Sequence, residues 1–326
     1  MQPISFDLPE ELIAKEPARP RDHARLLVYD RKTREISDHH FYELVELLPK
    51  DTTLVVNNSK VENCRWLFPD IKAEVFVLEK MNDRDIRGMV KPGRKFKLGK
   101  TIQLTDVISA EVLAIDEEGL RTLRLNINHD DDRLEAYEHV PLPPYIPQND
   151  KLADDYQTVY ADPLGSKAAP TAGLHFTDEL IGRIKAKFNM AELTLHVGLG
   201  TFAPLTQKQI DSGHLHAEYF AIDADNAKKL TTAKHITAVG TTSSRTLESL
   251  DDLNSAKSGW TDILIKPGYE FKHVDSLITN FHLPGTSLLL LVEAFIGSRS
   301  ETERVYAHAI SEKYRFYSFG DAMLII

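Results

Sequence analysis

Apolar positions along the chain change their period between segments, and each change predicts a change of architecture. Phe41, Leu44, Val45 and Leu48 recur at helical spacing, so residues 41–48 predict a short helix, and residues 8–15 read as another helical start. Leu54, Val55 and Val56 follow as a short buried strand that leaves through Asn57 and Asn58, a polar exit suited to face a ligand. From about residue 65 to 127 the texture changes. Residues 73–79 predict a strand, 80–83 a polar turn and 85–90 the returning partner, while 110–115 and 120–126 flank the turn sequence DEEG in the same way. Several short strands at close spacing predict a small antiparallel β-barrel. Asp130, Asp131 and Asp132 then open a helical piece. Residues 140–147, VPLPPYIP, hold four prolines, which forbid regular structure and mark a linker.

Beyond residue 147 the pattern is that of an α/β protein. Thr177 is placed to cap a helix whose first turn carries Asp178 and Glu179, where the helix dipole favours acids, and Leu180, Ile184 and Phe188 mark its buried face. Strands at 193–197, 237–239, 263–265 and 277–279 alternate with helices at 224–235 and 244–250. That alternation predicts a sheet with helices packed on it. The expected fold is therefore α/β, a mixed sheet with flanking helices formed by residues 1–64 and 148–326, plus an inserted small antiparallel β-barrel domain at 65–147. No internal repeat is present.

Composition narrows the setting. A formal charge of −10 argues against a generally basic nucleic-acid coat but leaves room for a local basic patch. One cysteine, Cys64, excludes an internal disulfide framework and fits a reducing compartment. The most apolar run, 287–296, is interrupted by Glu293 and falls short of the ~20 residues that span a bilayer. The N-terminal stretch has early acids and no apolar signal core. The expectation is a cytoplasmic protein with no membrane contact.

Candidate chemistry gathers in four turns: KAAPTAGLHFT from Lys167, LHVGLGTF from Leu195, VGTTSSRTLES from Val239 and LITNFHLPGTS from Leu277. Pro170 lacks a backbone donor and Gly173 permits positive φ, so the first turn suits a pocket wall better than a core. Together the four predict the rim of one ligand site. In the third, amides at a helix start with the hydroxyls of Thr241, Thr242 and Ser243 make an anion seat, to which Arg245 adds a fork. A capped helix whose Arg245 pairs with Glu248 reads the same residues structurally. His175 and His282 sit inside turns and are candidates for proton transfer, or for binding a turn carbonyl. His214, His216 and Glu218 resemble a metal cluster or one polar strand edge; no HExxH partner occurs, and no metal is expected. Lys91, Arg94, Lys95 and Lys97, in KPGRKFKLGK, suit a phosphate backbone or a lysine-guarded hairpin edge. Tyr314, Phe316, Tyr317 and Phe319 offer a stacking surface or the core edge of a last strand.

These segments, with RLLVYDR, LVVNNSK, PLPPYI, YQTVYA, KPGYEF and YRFYSFGDAM, occur in the order found in one family. The chain resembles the S-adenosylmethionine:tRNA ribosyltransferase-isomerases of queuosine biosynthesis nearly end to end. The resemblance implies transfer and isomerisation of the ribosyl part of S-adenosylmethionine onto 7-aminomethyl-7-deazaguanine at the tRNA wobble position. Epoxyqueuosine forms, and adenine and methionine leave. It also implies an α/β domain with an inserted β-barrel, S-adenosylmethionine as co-substrate without a separate cofactor or metal, and tRNA as partner. A monomer is expected. On that footing His175, His282 and Asp321 are the catalytic candidates. Asn58, Thr171, Gly173, Gly198, Gly200, Thr201, Thr242, Ser243, Arg245, Asn280 and Phe281 are expected to bind substrate. Lys91, Arg94, Lys95 and Lys97 are expected to bind RNA. The chain departs from the family pattern at residues 59–64, at Gly213, Ala217, Lys266 and Gly285, and at Lys167. A diverged member that binds S-adenosylmethionine and tRNA without turnover is the alternative, and a metal hydrolase at 214–218 a third.

Overall fold

The computed structural model describes residues 4–198 and 205–326, and contacts divide the chain into two compact units. The larger comprises the chain up to Lys60, Pro143–Pro147 and Asp154–Ile326; the smaller comprises Val61–Leu142 and Gln148–Ala153.

The larger unit is built on a nine-stranded mixed sheet. From edge to edge its strands are Lys257–Ile263, His214–Ile222, Asn189–Leu195, Thr52–Asn57, His235–Val239, Ser276–Asn280, Ala322–Ile325, Arg25–Tyr29 and Ile36–His40. Four of these, from Asn189–Leu195 to Ser276–Asn280, run parallel as consecutive neighbours. Thr52–Asn57 is buried at every position because it lies mid-sheet and is covered on both faces. Alternation along the strand then sorts its side chains. Leu54 and Val56 join Phe176, Leu180, Ile181 and Ile184 in one apolar cluster. Val55 joins Leu193, Ala238, Leu277 and the apolar face of Ser287–Ile296 in the other. Each such fully buried side chain contributes about 1.5–3 kcal/mol. The helix Asp178–Lys187 starts where Thr177 predicts, with the Leu180 N–H donating to Thr177 Oγ1 at 3.2 Å.

The smaller unit is a seven-stranded antiparallel sheet, ordered Glu138–His139, Arg65–Phe68, Ala73–Lys80, Asp85–Lys91, Arg121–Leu125, Ser109–Ile115 and Thr101–Gln103. The two predicted hairpins are present, since Val75 pairs with Val90 and Thr122 with Ala114. Alternate residues of each strand, among them Trp66, Phe68, Val75, Val77 and Leu123, fill one core with Phe96 and Cys64. Among the described residues the two outermost strands do not pair with each other, so the expected barrel is an open, half-closed one.

Three elements differ from expectation. Residues 8–15 form only a 3₁₀ turn at Glu10–Leu12. The strand expected at 263–265 lies earlier, at Lys257–Ile263, where Trp260 is 71% exposed on the sheet edge and the apolar signal is correspondingly weak. The helix expected at 244 begins at Gly240, directly on the end of its strand. No helix among the described residues is long and apolar enough to cross a membrane.

Candidate active site

The four parallel strands end side by side, and the segments leaving three of them line a cavity of about 330 Å³. This is the crevice outside the carboxyl ends of strands where open α/β sheets bind ligands, and its volume lies in the ordinary range for small-molecule sites. Val197 follows the first strand, Gly240, Thr241 and Thr242 the third, and Thr279, Asn280 and His282 close the fourth. Residues 168–172 of the proline-bearing turn complete that side. Of the sequence candidates, Thr171, Thr242, Arg245, Asn280 and His282 are brought together here.

Gly240 adopts φ +86, which lets strand pass into helix without a loop, and the threonines behind it reach the cavity at once. Arg245, one turn on, is 7% exposed. Its Nη1 donates to Glu218 Oε2 at 2.6 Å and its Nε to the Ile263 carbonyl at 3.2 Å. The other carboxylate oxygen of Glu218 accepts the Gly198 N–H at 2.8 Å. Thr242 and Arg245 line the cavity, and two of their buried atoms, Arg245 Nη2 and Thr242 Oγ1, have no hydrogen-bond partner among the described residues. A buried orphan donor costs about 1–3 kcal/mol, a cost that an acceptor brought against it would offset. Arg245 does not pair with Glu248. That carboxylate instead accepts the backbone N–H groups of Lys272, His273 and Val274 at 2.8, 2.9 and 2.9 Å, and the Tyr269 hydroxyl at 3.1 Å.

The two histidines have different places. His282 lines the cavity; its Nε2 lies 2.8 Å from Thr279 Oγ1 and its backbone N–H donates to the Tyr306 hydroxyl. Burial pushes its pKa down to about 3. His175 is off the cavity, packed on the Phe41 ring at 4.9 Å. Asn280 Nδ2 donates to His175 Nε2 at 3.2 Å, and Thr171 Oγ1 donates to Asn280 Oδ1 at 2.9 Å. An accepting Nε2 must be unprotonated, in accord with burial pushing this pKa down to about 4. Both rings are therefore neutral near pH 7. His175 is linked to the cavity through Asn280.

Other candidates lie elsewhere. Asp321 is 2% exposed and accepts the backbone N–H groups of Arg25 and Arg315 and the Arg315 guanidinium at 3.1 Å, so it closes the turn before the last strand. Asn58 is held by Glu192 at 3.1 Å and Thr194 at 2.7 Å. Phe281 is fully buried among Tyr306, Tyr314 and Phe316. Gly173 fits where a Cβ would come within 2.8 Å of the Thr158 methyl. Ser243 is fully buried off the cavity, and Gly198 serves through its amide on Glu218. Gly200 and Thr201 lie outside the described residues. Sequence reasoning missed Tyr145 and Ser318 on the lining; a tyrosine between prolines was their one signal. Of the C-terminal aromatics only Tyr317 reaches the cavity, while Tyr314, Phe316 and Phe319 are core.

On strand His214–Ile222, His214 pairs with Asp262 at 3.0 Å while Glu218 turns inward to Arg245. Among the described residues no group of three His, Cys, Asp or Glu is placed to hold a metal. In the smaller unit Lys91, Arg94, Lys95 and Lys97 are all exposed around the fully buried Phe96, the first ending a strand and the next two on the 3₁₀ turn Gly93–Lys95.

The family model described as queuosine biosynthesis protein matches residues 1–325. A relative from Desulfitobacterium hafniense named S-adenosylmethionine:tRNA ribosyltransferase-isomerase is 43% identical, covering 100% of this chain and 99% of its own. Another of that name, from Treponema denticola, is also 43% identical, with 99% of each chain covered. The crystal structure of an S-adenosylmethionine tRNA ribosyltransferase from Thermotoga maritima is similar with a TM-score of 0.57 at 36% identity, over 99% of both chains. A match of this length and identity decides the matter: the chain belongs to the queuosine biosynthesis protein family and is an enzyme of its ribosyltransferase-isomerase class.

Proposed function

We propose that the protein transfers and isomerises the ribosyl moiety of S-adenosylmethionine onto 7-aminomethyl-7-deazaguanine at the wobble position of tRNA. Epoxyqueuosine is formed, and adenine and methionine are released. S-adenosylmethionine enters as co-substrate, and the reading calls for no further cofactor, with one chain acting alone in the cytoplasm. The observation that carries it is one cavity lined together by Thr242, Arg245, Asn280 and His282, with Arg245 Nη2 and Thr242 Oγ1 left without a partner among the described residues. The donor's methionine carboxylate takes the seat on Arg245 and Thr242. The sulfonium acidifies the neighbouring 5′ protons of the ribose, and a neutral imidazole accepts one of them. His282 is that acceptor, because it is the histidine on the lining and burial keeps it unprotonated. His175 acts as a positioning residue that fixes the Asn280 amide.

The test is to incubate the protein with S-adenosylmethionine and a tRNA carrying the aminomethyl-deazaguanine, then to weigh the digested nucleosides. The expected result is the mass of epoxyqueuosine with adenine released in equal amount. Binding of both substrates without adenine release refutes turnover. His282→Ala should lower the single-turnover rate by about 10²-fold or more if the ring takes the proton.

A further inference from the structure

Tyr317 has a left-handed backbone, φ +74, a conformation in which a bulky side chain is strained. The residues around it hold that conformation in place. Phe316 is fully buried and Phe319 nearly so. The Tyr317 N–H donates to the Phe281 carbonyl at 3.1 Å, and the Gly320 N–H returns to the Tyr317 carbonyl at 3.0 Å. A Cβ on Gly320 would come within 2.5 Å of the Arg315 carbonyl oxygen, so the turn is closed as tightly as glycine allows. The outcome is that one tyrosine leaves an aromatic core and stands on the cavity wall. There it meets Tyr145, with ring centroids 4.2 Å apart and planes inclined by 35°. The Tyr145 hydroxyl accepts the Ser318 N–H at 2.9 Å, which ties the linker tyrosine to the strained turn. Strained backbone of this kind collects at ligand clamps, where the surroundings over-determine it.

We propose that Tyr145 and Tyr317 form the platform on which the purine ring of the ribosyl donor stacks, with the donor's carboxylate end at Arg245. This rests on the donor reading given above. The purine is the donor's because the aromatic pair lines the same cavity of about 330 Å³ as Thr242 and Arg245, whose Oγ1 and Nη2 have no partner among the described residues, so a base and a carboxylate of one small molecule share one hollow.

Calorimetric titration of S-adenosylmethionine, and of adenosine as a probe without the carboxylate, tests the platform. Tyr317→Leu and Tyr145→Leu should each weaken both ligands on the order of 10-fold, the usual size of an aromatic–base stack. Tyr317→Phe, which restores the ring, should recover the affinity. Tyr317→Gly separates binding from folding: it relieves the left-handed strain, so its thermal midpoint should hold or rise while affinity falls. Unchanged affinity in Tyr317→Gly and Tyr145→Leu overturns the platform. So does a loss confined to tRNA binding, which would assign the rings to the RNA base. Wild-type protein that binds no S-adenosylmethionine sinks the donor reading itself, and with it the platform.

Discussion

The two turn histidines look alike in sequence and differ in what they touch. His282 lines the cavity, whereas His175 lies behind Asn280 against Phe41. They share one electrostatic property, because desolvation holds their pKa values at about 4 for His175 and about 3 for His282, below the value near 6.5 of an unfolded chain. Between those limits the unfolded state binds more protons than the native state, so stability rises with pH. Their contribution is complete above about pH 6.5 and is lost as pH falls towards 4 and then 3, at about 1.4 kcal/mol per pH unit for each ring. Urea unfolding at pH 7, 6 and 5 should therefore show falling stability. His175→Gln should remove about one proton from that slope. An unaltered slope would mean that the imidazole is not held neutral by burial. A charge is buried nearby as well: Glu218 and Arg245, 5% and 8% exposed at their side chains, depend on each other at 2.6 Å. Glu218→Gln leaves the guanidinium uncompensated and should destabilise by about 3 kcal/mol or more, read from the urea midpoint.

At the scale of elements, helix Gly240–Glu248 links the cavity to a distant loop. Its first turn places Thr241 and Thr242 on the lining, and its last residue, Glu248, gathers three consecutive amides from Lys272 to Val274. Glu248→Ala removes the acceptor, itself 0% exposed, and leaves the buried Val274 amide and the part-buried Lys272 and His273 amides without it. The expected cost is about 1–3 kcal/mol, with faster amide exchange at residues 272–274; exchange rates equal to wild type would contradict this account. The elements that were legible in sequence are those whose burial alternates. Residues 73–79 read as a strand because Ala73, Val75 and Val77 are buried while Glu74 and Phe76 between them are only partly so. Strand Lys257–Ile263 was misplaced because an edge strand has little to bury, while Leu264 and Ile265 just beyond it are buried outside regular structure. The turns that build the site were legible from Gly, Pro and Thr, which report backbone needs. Which side chains face the cavity was not, because that depends on neighbours remote in sequence: His175 is taken by Asn280, Asp321 by Arg25 and Arg315, and Tyr145 is delivered by a linker read as a mere spacer.

At the scale of the whole molecule, the puzzle is how a chain of charge −10 meets a polyanion. Total charge opposes association, so the approach must depend on a local field stronger than the average one, within a Debye length of about 8 Å at physiological salt. The candidate for such a field is in the smaller unit, where the buried Phe96 anchors the segment and leaves Lys91, Arg94, Lys95 and Lys97 exposed. Exposed cations release counterions from RNA, and each phosphate contact contributes about 0.7–0.9 to the slope of log affinity against log salt. Replacing all four by glutamate should weaken tRNA binding at low salt and reduce that slope by up to about 3. Binding of S-adenosylmethionine, whose proposed carboxylate seat is Arg245 in the larger unit, should be unchanged. Titrations of tRNA at four salt concentrations, with calorimetry of the small ligand on the same variant, read both quantities. If the slope holds while the small ligand weakens, the basic run is a structural edge and the RNA surface lies elsewhere. If the slope falls alone, the acidic chain recruits its RNA through this one patch.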